Sequence, residues 1–388
     1  MIRSFTAYTE EIDDASAAVA EILTQLGLEG RLLAHSLGII QCYNAFIEEG
    51  VAAAISDALP FTTVGCSALS VSSSAGRGQI ALTVMVLTSD DVEFAAAVSG
   101  RVGSYEKVGP AVADAYHEAA QALSQEPLLL IPFVPFIFDI GGDEWVEQLD
   151  AVSGRLPAFG ALSFSDDTSF TRIYTFKDGT HYEDAMVLVA LTGDVHPSFF
   201  QISVFEESIA KTKAVVTASS RSLLQGINAV SPIEFFKSMG FENDKDGKRD
   251  ITMLSLVIDL DDGSRLIRTC LGENPDGSLL LSGKVPVGGA LSFAVMSPDD
   301  VVAGAKVLAQ KILPGVEGRG MLAYSCAARS WALGINDMAE HEQFQAVFGN
   351  TANYLVMYAG GEIFPSFRDD GSVVANHLQN DSLIVCVF

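Results

Sequence analysis

Three Asp-Gly pairs, Asp178-Gly179, Asp262-Gly263 and Asp276-Gly277, each lie between apolar runs. Asp-Gly supplies the left-handed backbone that a two-residue hairpin turn needs, so each pair predicts two antiparallel strands and a tight turn. The flanks TRIYTFKDGTHYEDAMVLVAL (171–191) and MLSLVIDLDDGSRLIRT (253–269) carry strand-forming residues on both sides. A sheet containing such hairpins is not purely parallel. Helical patterns alternate with them. Ala17, Ala20 or Val19, Leu23 and Leu26 recur at helical spacing, and Gly27 closes the pattern. SPIEFFKSMG (231–240) opens with Ser231 as cap and Pro232 at the first helical position, and stops at Gly240. Ser297, Pro298 and Asp300 give a capping-box start to a helix whose apolar face is Val301, Ala305, Leu308 and Ile312.

The fold class expected is therefore mixed α/β, with two α/β lobes of mixed, largely antiparallel sheets flanked by helices. A chain of 388 residues exceeds one ordinary core. The division expected is 1–220 and 221–388, with the boundary near Thr217 to Leu223. IALTVMVL (80–87) reads as a buried strand. TSDDVEFAAAVSG after it reads as a helix capped by Ser89, with Asp90 and Asp91 at its positive end. VMVLTSDDV and FAVMSPDDV then look like one strand-to-helix plan used twice. FENDKDGKRD (241–250) is the most polar stretch and reads as a surface loop.

The charge excludes several functions. With 49 acidic against 23 basic residues the net charge is -26, which repels nucleic-acid phosphates and anionic lipid surfaces. Cys42, Cys66, Cys270, Cys326 and Cys386 are odd in number, widely spaced and without CxxC, so neither a disulfide framework nor a structural zinc site is expected. The acidic start MIRSFTAYTEEIDD lacks the apolar centre of a signal peptide. LLLIPFVPFIF (128–138) carries two prolines and is too short to span a bilayer. A soluble cytoplasmic protein is expected. The six histidines form no HxH or HExxH, and HEQF (341–344) reads as a solvated helix face. No G-x-S-x-G, G-x-G-x-x-G or Walker segment is present. Asp166-Asp167 could bind a cation, though a turn is the commoner role.

Three segments end an apolar strand in small residues: TTVGCSALS (62–70), FGALSFSDDTSF (159–170) and LAYSCAARS (322–330). Small side chains let backbone N–H groups and hydroxyls approach a ligand, and equally let strand ends pack against another layer. In NYLVMYAGGEIFPSF (353–367), Glu362 follows a buried strand, where an unpaired carboxylate is expensive. Arg329 is its natural partner. LQNDSLIVCVF adds Asn380 and Ser382 before an apolar edge. The candidate ligand-binding residues are Cys66, Ser67, Ser325, Cys326, Arg329, Tyr358, Glu362 and Asn380; no catalytic or metal-binding residue is assigned. Arg329 would bind a ligand carboxylate or lock Glu362, and Glu362 could instead receive a ligand ammonium. Arg329→Ala is then expected to remove affinity for an anionic ligand without unfolding the protein. Cys326 reads as a small buried hydrophobe or as a reactive thiol.

SCAAR (325–329), YAGGEIFP (358–365) and NDSLIV (380–385), in that order, resemble the FIST C-terminal domain, and GINAVSPIEFFKSMG (226–240) resembles its opening. VGCSALSV, FGALSFSDD and RIYTFKDGTHYEDAMVLVAL resemble the FIST N domain in order, so the likeness runs from about Leu28 to the last residue. Ala327-Ala328 stand where a Gly-bearing pair is usual, Ser382 where Thr is usual, and NHLQ (376–379) is unusual. The resemblance implies a sensory module binding a small ligand such as an amino acid, without catalysis. Its output would pass to a separate signalling protein such as a histidine kinase, since no kinase, receiver, methyl-accepting or F-box segment is visible. Some relatives bind haem and sense nitric oxide, which gives one alternative, although no cofactor is assigned here. An enzyme using Cys326 as nucleophile is a second, and a pure interaction scaffold a third.

Overall fold

The computed structural model describes residues 1–137, 139–166, 171–241, 254–260 and 263–388. The polar stretch 242–250, Asp167 and Asp262 lie outside them. The structure is α/β, with helices flanking mixed and antiparallel sheets. Three sheets share one apolar centre. The first runs in the order Arg3–Thr9, Leu82–Ser89, His35–Cys42, Thr63–Ser67, Thr175–Lys177, Thr180–Tyr182. The second runs Val373–Gln379, Glu362–Phe367, Gly160–Leu162, Leu129–Val134, Val187–Gly193, Val92–Val98. The third runs Ser198–Ile202, Leu383–Val387, Gly320–Cys326, Asn353–Ala359, Val71–Ser73, Arg77–Gly78. Each holds one parallel pair among antiparallel ones. Ile39 and Met85, Ile131 and Val189, and Tyr324, Met357 and Ile384 come from the three sheets and meet in one buried cluster.

Helices cover the outer faces. Ile22 and Ile55 pack on the first sheet, Val112 and Trp145 on the second, and Leu308 and Phe344 on the third. Ala15–Leu26 starts where Asp14 accepts from the Ser16 and Ala17 amides and ends at Gly27 with φ 52°. Pro232–Ser238 begins with a complete capping box between Ser231 and Glu234. Pro298–Ile312 begins with the Asp300 amide donating to Ser297.

A closed barrel of antiparallel strands forms a separate body in the order Ile209–Ser220, Leu223–Ile227, Leu279–Leu281, Arg265–Glu273, Leu254–Asp259, Ala290–Val295. Its core joins Leu224, Phe236, Leu256 and Leu279. Asp178 (φ 47°) and Gly179 (φ 75°) both take the left-handed backbone of the expected hairpin, and Gly277 (φ 82°) turns another.

Two local expectations fail. Val92–Val98 is a strand, not a helix: Ser89 Oγ accepts from the Asp91 and Val92 amides in a turn, and the strand pairs with Val187–Gly193. The second apparent strand-to-helix plan is therefore no repeat of the first. The stretch expected to be a junction, 217–223, is a hairpin inside the barrel, with Ser220 opposite Leu223. The sheets also cross the 220/221 division. Glu362–Phe367 pairs with Gly160–Leu162, Asn353–Ala359 with Val71–Ser73, and Leu383–Val387 with Ser198–Ile202.

Candidate functional site

The small-residue strand ends converge. The Phe164 amide donates to Ser67 O (3.0 Å), Leu69 to Tyr358 O (3.1 Å), Tyr358 to Ser70 O (3.1 Å), Gly360 to Leu162 O (3.0 Å) and Cys326 to Ser382 O (3.0 Å). Two glycines show why the ends are small. A Cβ on Gly65 would sit 1.7 Å from Ile40 O, and one on Gly160 would sit 2.1 Å from Pro132 O, so close strand packing requires both.

Where the ends meet the barrel lies a cavity of about 20 Å³, room for about one water. Cys326, Gly360 and Asn380 form one wall, Thr269 and Ser282 of the barrel another, and Trp331 and Phe164 a third. The Trp331 indole is 47% exposed and also edges a neighbouring cavity of about 440 Å³ that contains Asp166 and Asp337. Asp166 accepts from the Tyr43 hydroxyl (2.7 Å).

Beside the Cys326–Asn380 wall stand two buried carboxylates. Glu362 follows Gly360 by two residues and is fully buried. Its Oε2 accepts from Ser382 Oγ (2.7 Å), and its Oε1 has no hydrogen-bond partner among the described residues. Burial pushes its carboxyl well above the ordinary range. Asp381 follows Asn380 at φ 53°, and its Oδ1 accepts from Thr269 Oγ1 (2.8 Å). Burial raises it as well, and the nearby Asp381 carboxylate adds to the rise of Glu362. Asn380 Oδ1 accepts from Ser282 Oγ (2.8 Å), tying this wall to the barrel.

Arg329 pairs with Glu340 rather than with Glu362. Its Nε and Nη2 donate to Glu340 Oε1 (3.1 and 2.6 Å), and Nη2 also donates to Val301 O (3.3 Å). Ser325 Oγ donates to Glu340 Oε2 (2.6 Å). Arg329 is 1% and Glu340 0% exposed, so the guanidinium is not presented to a ligand. Burial works against its charge, and Glu340 holds it charged. Sequence reasoning missed Glu340 and misplaced HEQF. Helix Ala339–Phe348 buries Glu340, His341, Phe344 and Phe348. Their spacing of three and four residues was the available signal. His341 is 1% exposed, with Nδ1 at 2.7 Å from Ser72 Oγ and Nε2 at 3.4 Å from Ser70 Oγ.

The other candidates serve packing. Cys66 lies in the shared core, 3.8 Å from Met357 Sδ. Ser67 Oγ accepts from the Tyr174 amide (2.9 Å). Tyr358 is buried edge-on to the His341 ring and donates to Asp337 O (3.2 Å). Thus Cys326 and Asn380 line the cavity, with Glu362 buried behind that wall close to Cys326; Ser325 and Arg329 gather on Glu340, and Cys66, Ser67 and Tyr358 build the frame.

Burial, then Glu362 and Asp381, push the Cys326 thiol well up. Iodoacetamide at pH 7.5 should label Cys326 roughly a hundredfold slower in the folded protein than in the urea-unfolded chain, followed by peptide mass mapping. Fast, selective labelling would instead mark a nucleophile. Among the described residues, no group of three or more His, Cys, Asp or Glu is placed to hold a metal ion. No described helix is long and apolar enough to cross a membrane.

Two family models match. One described as the FIST N domain covers residues 36–229, and one described as the FIST C domain covers residues 233–365. Such domains are associated with sensory and signal-transduction proteins. No curated protein matches the chain.

Proposed function

Because the chain belongs to the FIST family, we propose that it is a sensory protein whose ligand is a small molecule carrying an ammonium group, of the amino-acid class, and that it performs no catalysis. The observation that carries this reading is the unpartnered Oε1 of Glu362. A buried carboxylate oxygen with nothing to accept from costs stability, and a cationic ligand arriving there would offset that cost. Arg329 is engaged by Glu340, so recognition rests on the ammonium end of the ligand. The space of about 20 Å³ must widen to admit it, and Trp331 stands between this cavity and the larger one. Ligand entry would turn the indole and shift the helix Ala327–Leu333, a change that a separate signalling protein, such as a histidine kinase, could read. Five unpaired thiols suit the reducing cytoplasm.

The junction does not fit a haem. It holds about one water, no histidine lines it among the described residues, and burial keeps its thiol protonated. The raised Cys326 thiol likewise argues against a cysteine enzyme.

Glu362→Gln tests the reading. The folded-state pKa of Glu362 is raised, so its carboxyl is tolerated at low pH and destabilises the ligand-free fold as pH rises through that pKa. The variant should match the parent near pH 5 and be about 1–2 kcal/mol more stable at pH 8. In a panel of amino acids and simple amines, the parent should show a rise in Tm and a change in Trp331 fluorescence with its ligand, and the variant neither. A ligand response that survives the substitution unchanged would sink the proposal.

A further inference from the structure

Elsewhere along the junction with the barrel a cleft of about 590 Å³ opens between helix Gly142–Ser153, strand Val373–Gln379 and the barrel. Its size is that of a small-molecule site. It has an apolar floor, including Val146, Leu266 and Val285, and a crowded set of charges.

The carboxylates of the cleft are already engaged. Asp143 accepts from Arg268 Nη2 (2.7 Å) and from the Lys284 amide (2.7 Å). Glu147 accepts from Lys284 Nζ (2.5 Å), which also donates to Glu144 (3.0 Å). Asp150 accepts from the Asn376 amide (3.0 Å) and side chain. Two cations remain. Among the described residues, Arg155 and Arg221 meet no carboxylate within ion-pair distance, and both line the cleft. They come from different bodies: Arg155 follows the helix, and Arg221 is at the tip of the barrel hairpin. The Arg221 guanidinium rests 4.0 Å above the Tyr105 ring, which orients it. Both arginines hold a left-handed backbone, φ 66° and 54°, which a long side chain seldom adopts. In a chain of net charge -26, two guanidiniums outside ion-pair distance of any described carboxylate, with Glu106 the acidic group that feels Arg221, give this cleft a place that favours an anion.

We infer that this cleft is a second ligand site, for a small molecule bearing a carboxylate or phosphate oxyanion held between Arg155 and Arg221. Guanidinium forks suit both groups. The inference is independent of the Glu362 site and can stand or fall without it.

The probes are inorganic pyrophosphate and citrate, titrated by calorimetry into the full chain at low ionic strength, with sodium chloride matched for ionic strength as reference. Arg155→Asn and Arg221→Asn keep a residue at ease in the left-handed backbone, so folding is retained and checked by circular dichroism. Each should weaken binding about tenfold and the double variant should abolish it, whereas Lys306→Ala, exposed on a distant helix, should bind as the parent does. Response to pyrophosphate alone would identify a phosphate ligand, and to citrate alone a carboxylate, each supporting the site. No heat with either probe, or equal binding by the double variant, would overturn it.

Discussion

Glu340→Ala should destabilise the protein by about 3–5 kcal/mol, because it leaves the Arg329 guanidinium charged and buried with one carbonyl for company. Arg329→Ala should cost a similar amount by stranding Glu340 without its cation, with hydroxyl partners such as Ser325 left to it. This replaces the expectation from sequence that Arg329→Ala would weaken ligand binding and leave the fold intact. The double substitution Arg329→Met with Glu340→Leu removes both charges together and should recover most of the loss. Guanidinium chloride unfolding at pH 7 reads all four proteins. Full stability in Glu340→Ala would mean that Arg329 is not confined as described.

Acidification gives the second large effect. Burial pushes His341 down to about 4, with Glu340 acting in the opposite direction and Arg77 adding to the depression. The unfolded chain therefore binds this proton more readily than the fold between pH 6.5 and 4. The neutral imidazole contributes fully above pH 6.5, and its contribution falls as pH falls, reaching a loss of about 3 kcal/mol below pH 4. Glu362 and Asp381 act with the opposite sign, since their raised values favour the fold at low pH. A comparison with His341→Gln isolates the histidine: the parent should lose ground to the variant steadily from pH 7 to pH 4. Parallel pH profiles would remove the buried imidazole as the acid-sensitive bridge to Ser70 and Ser72.

Local signals in the chain were reliable where chemistry is local. The caps at Ser231 and Ser297 and the Asp178-Gly179 turn are satisfied within a few residues, so their elements could be read directly. Val92–Val98 could not. Ser89, Asp90 and Asp91 make as good a helix start as a turn, and the pairing with Val187–Gly193 decides between them. The same holds at the site. SCAAR and GGEIF come close together in the fold, but the partner of Arg329 depends on how helix Ala339–Phe348 folds back over strand Gly320–Cys326. The barrel and the exchanged strands rest on long-range pairing that no short motif encodes.

The strand exchange has a mechanical consequence. Because backbone ladders inside the second and third sheets join strands of the FIST N region to strands of the FIST C region, the two regions cannot swing on one another as jaws do. The barrel, by contrast, forms ladders among its own strands and meets the sheets through side chains: Arg268 with Asp143, Thr269 with Asp381, and Ser282 with Asn380. Side-chain contacts yield more readily than a shared ladder, and Asn380 and Arg221 lie at two points on that seam. Two ligands of opposite charge would then pull on one coordinate, and each would alter the affinity of the other by the same factor.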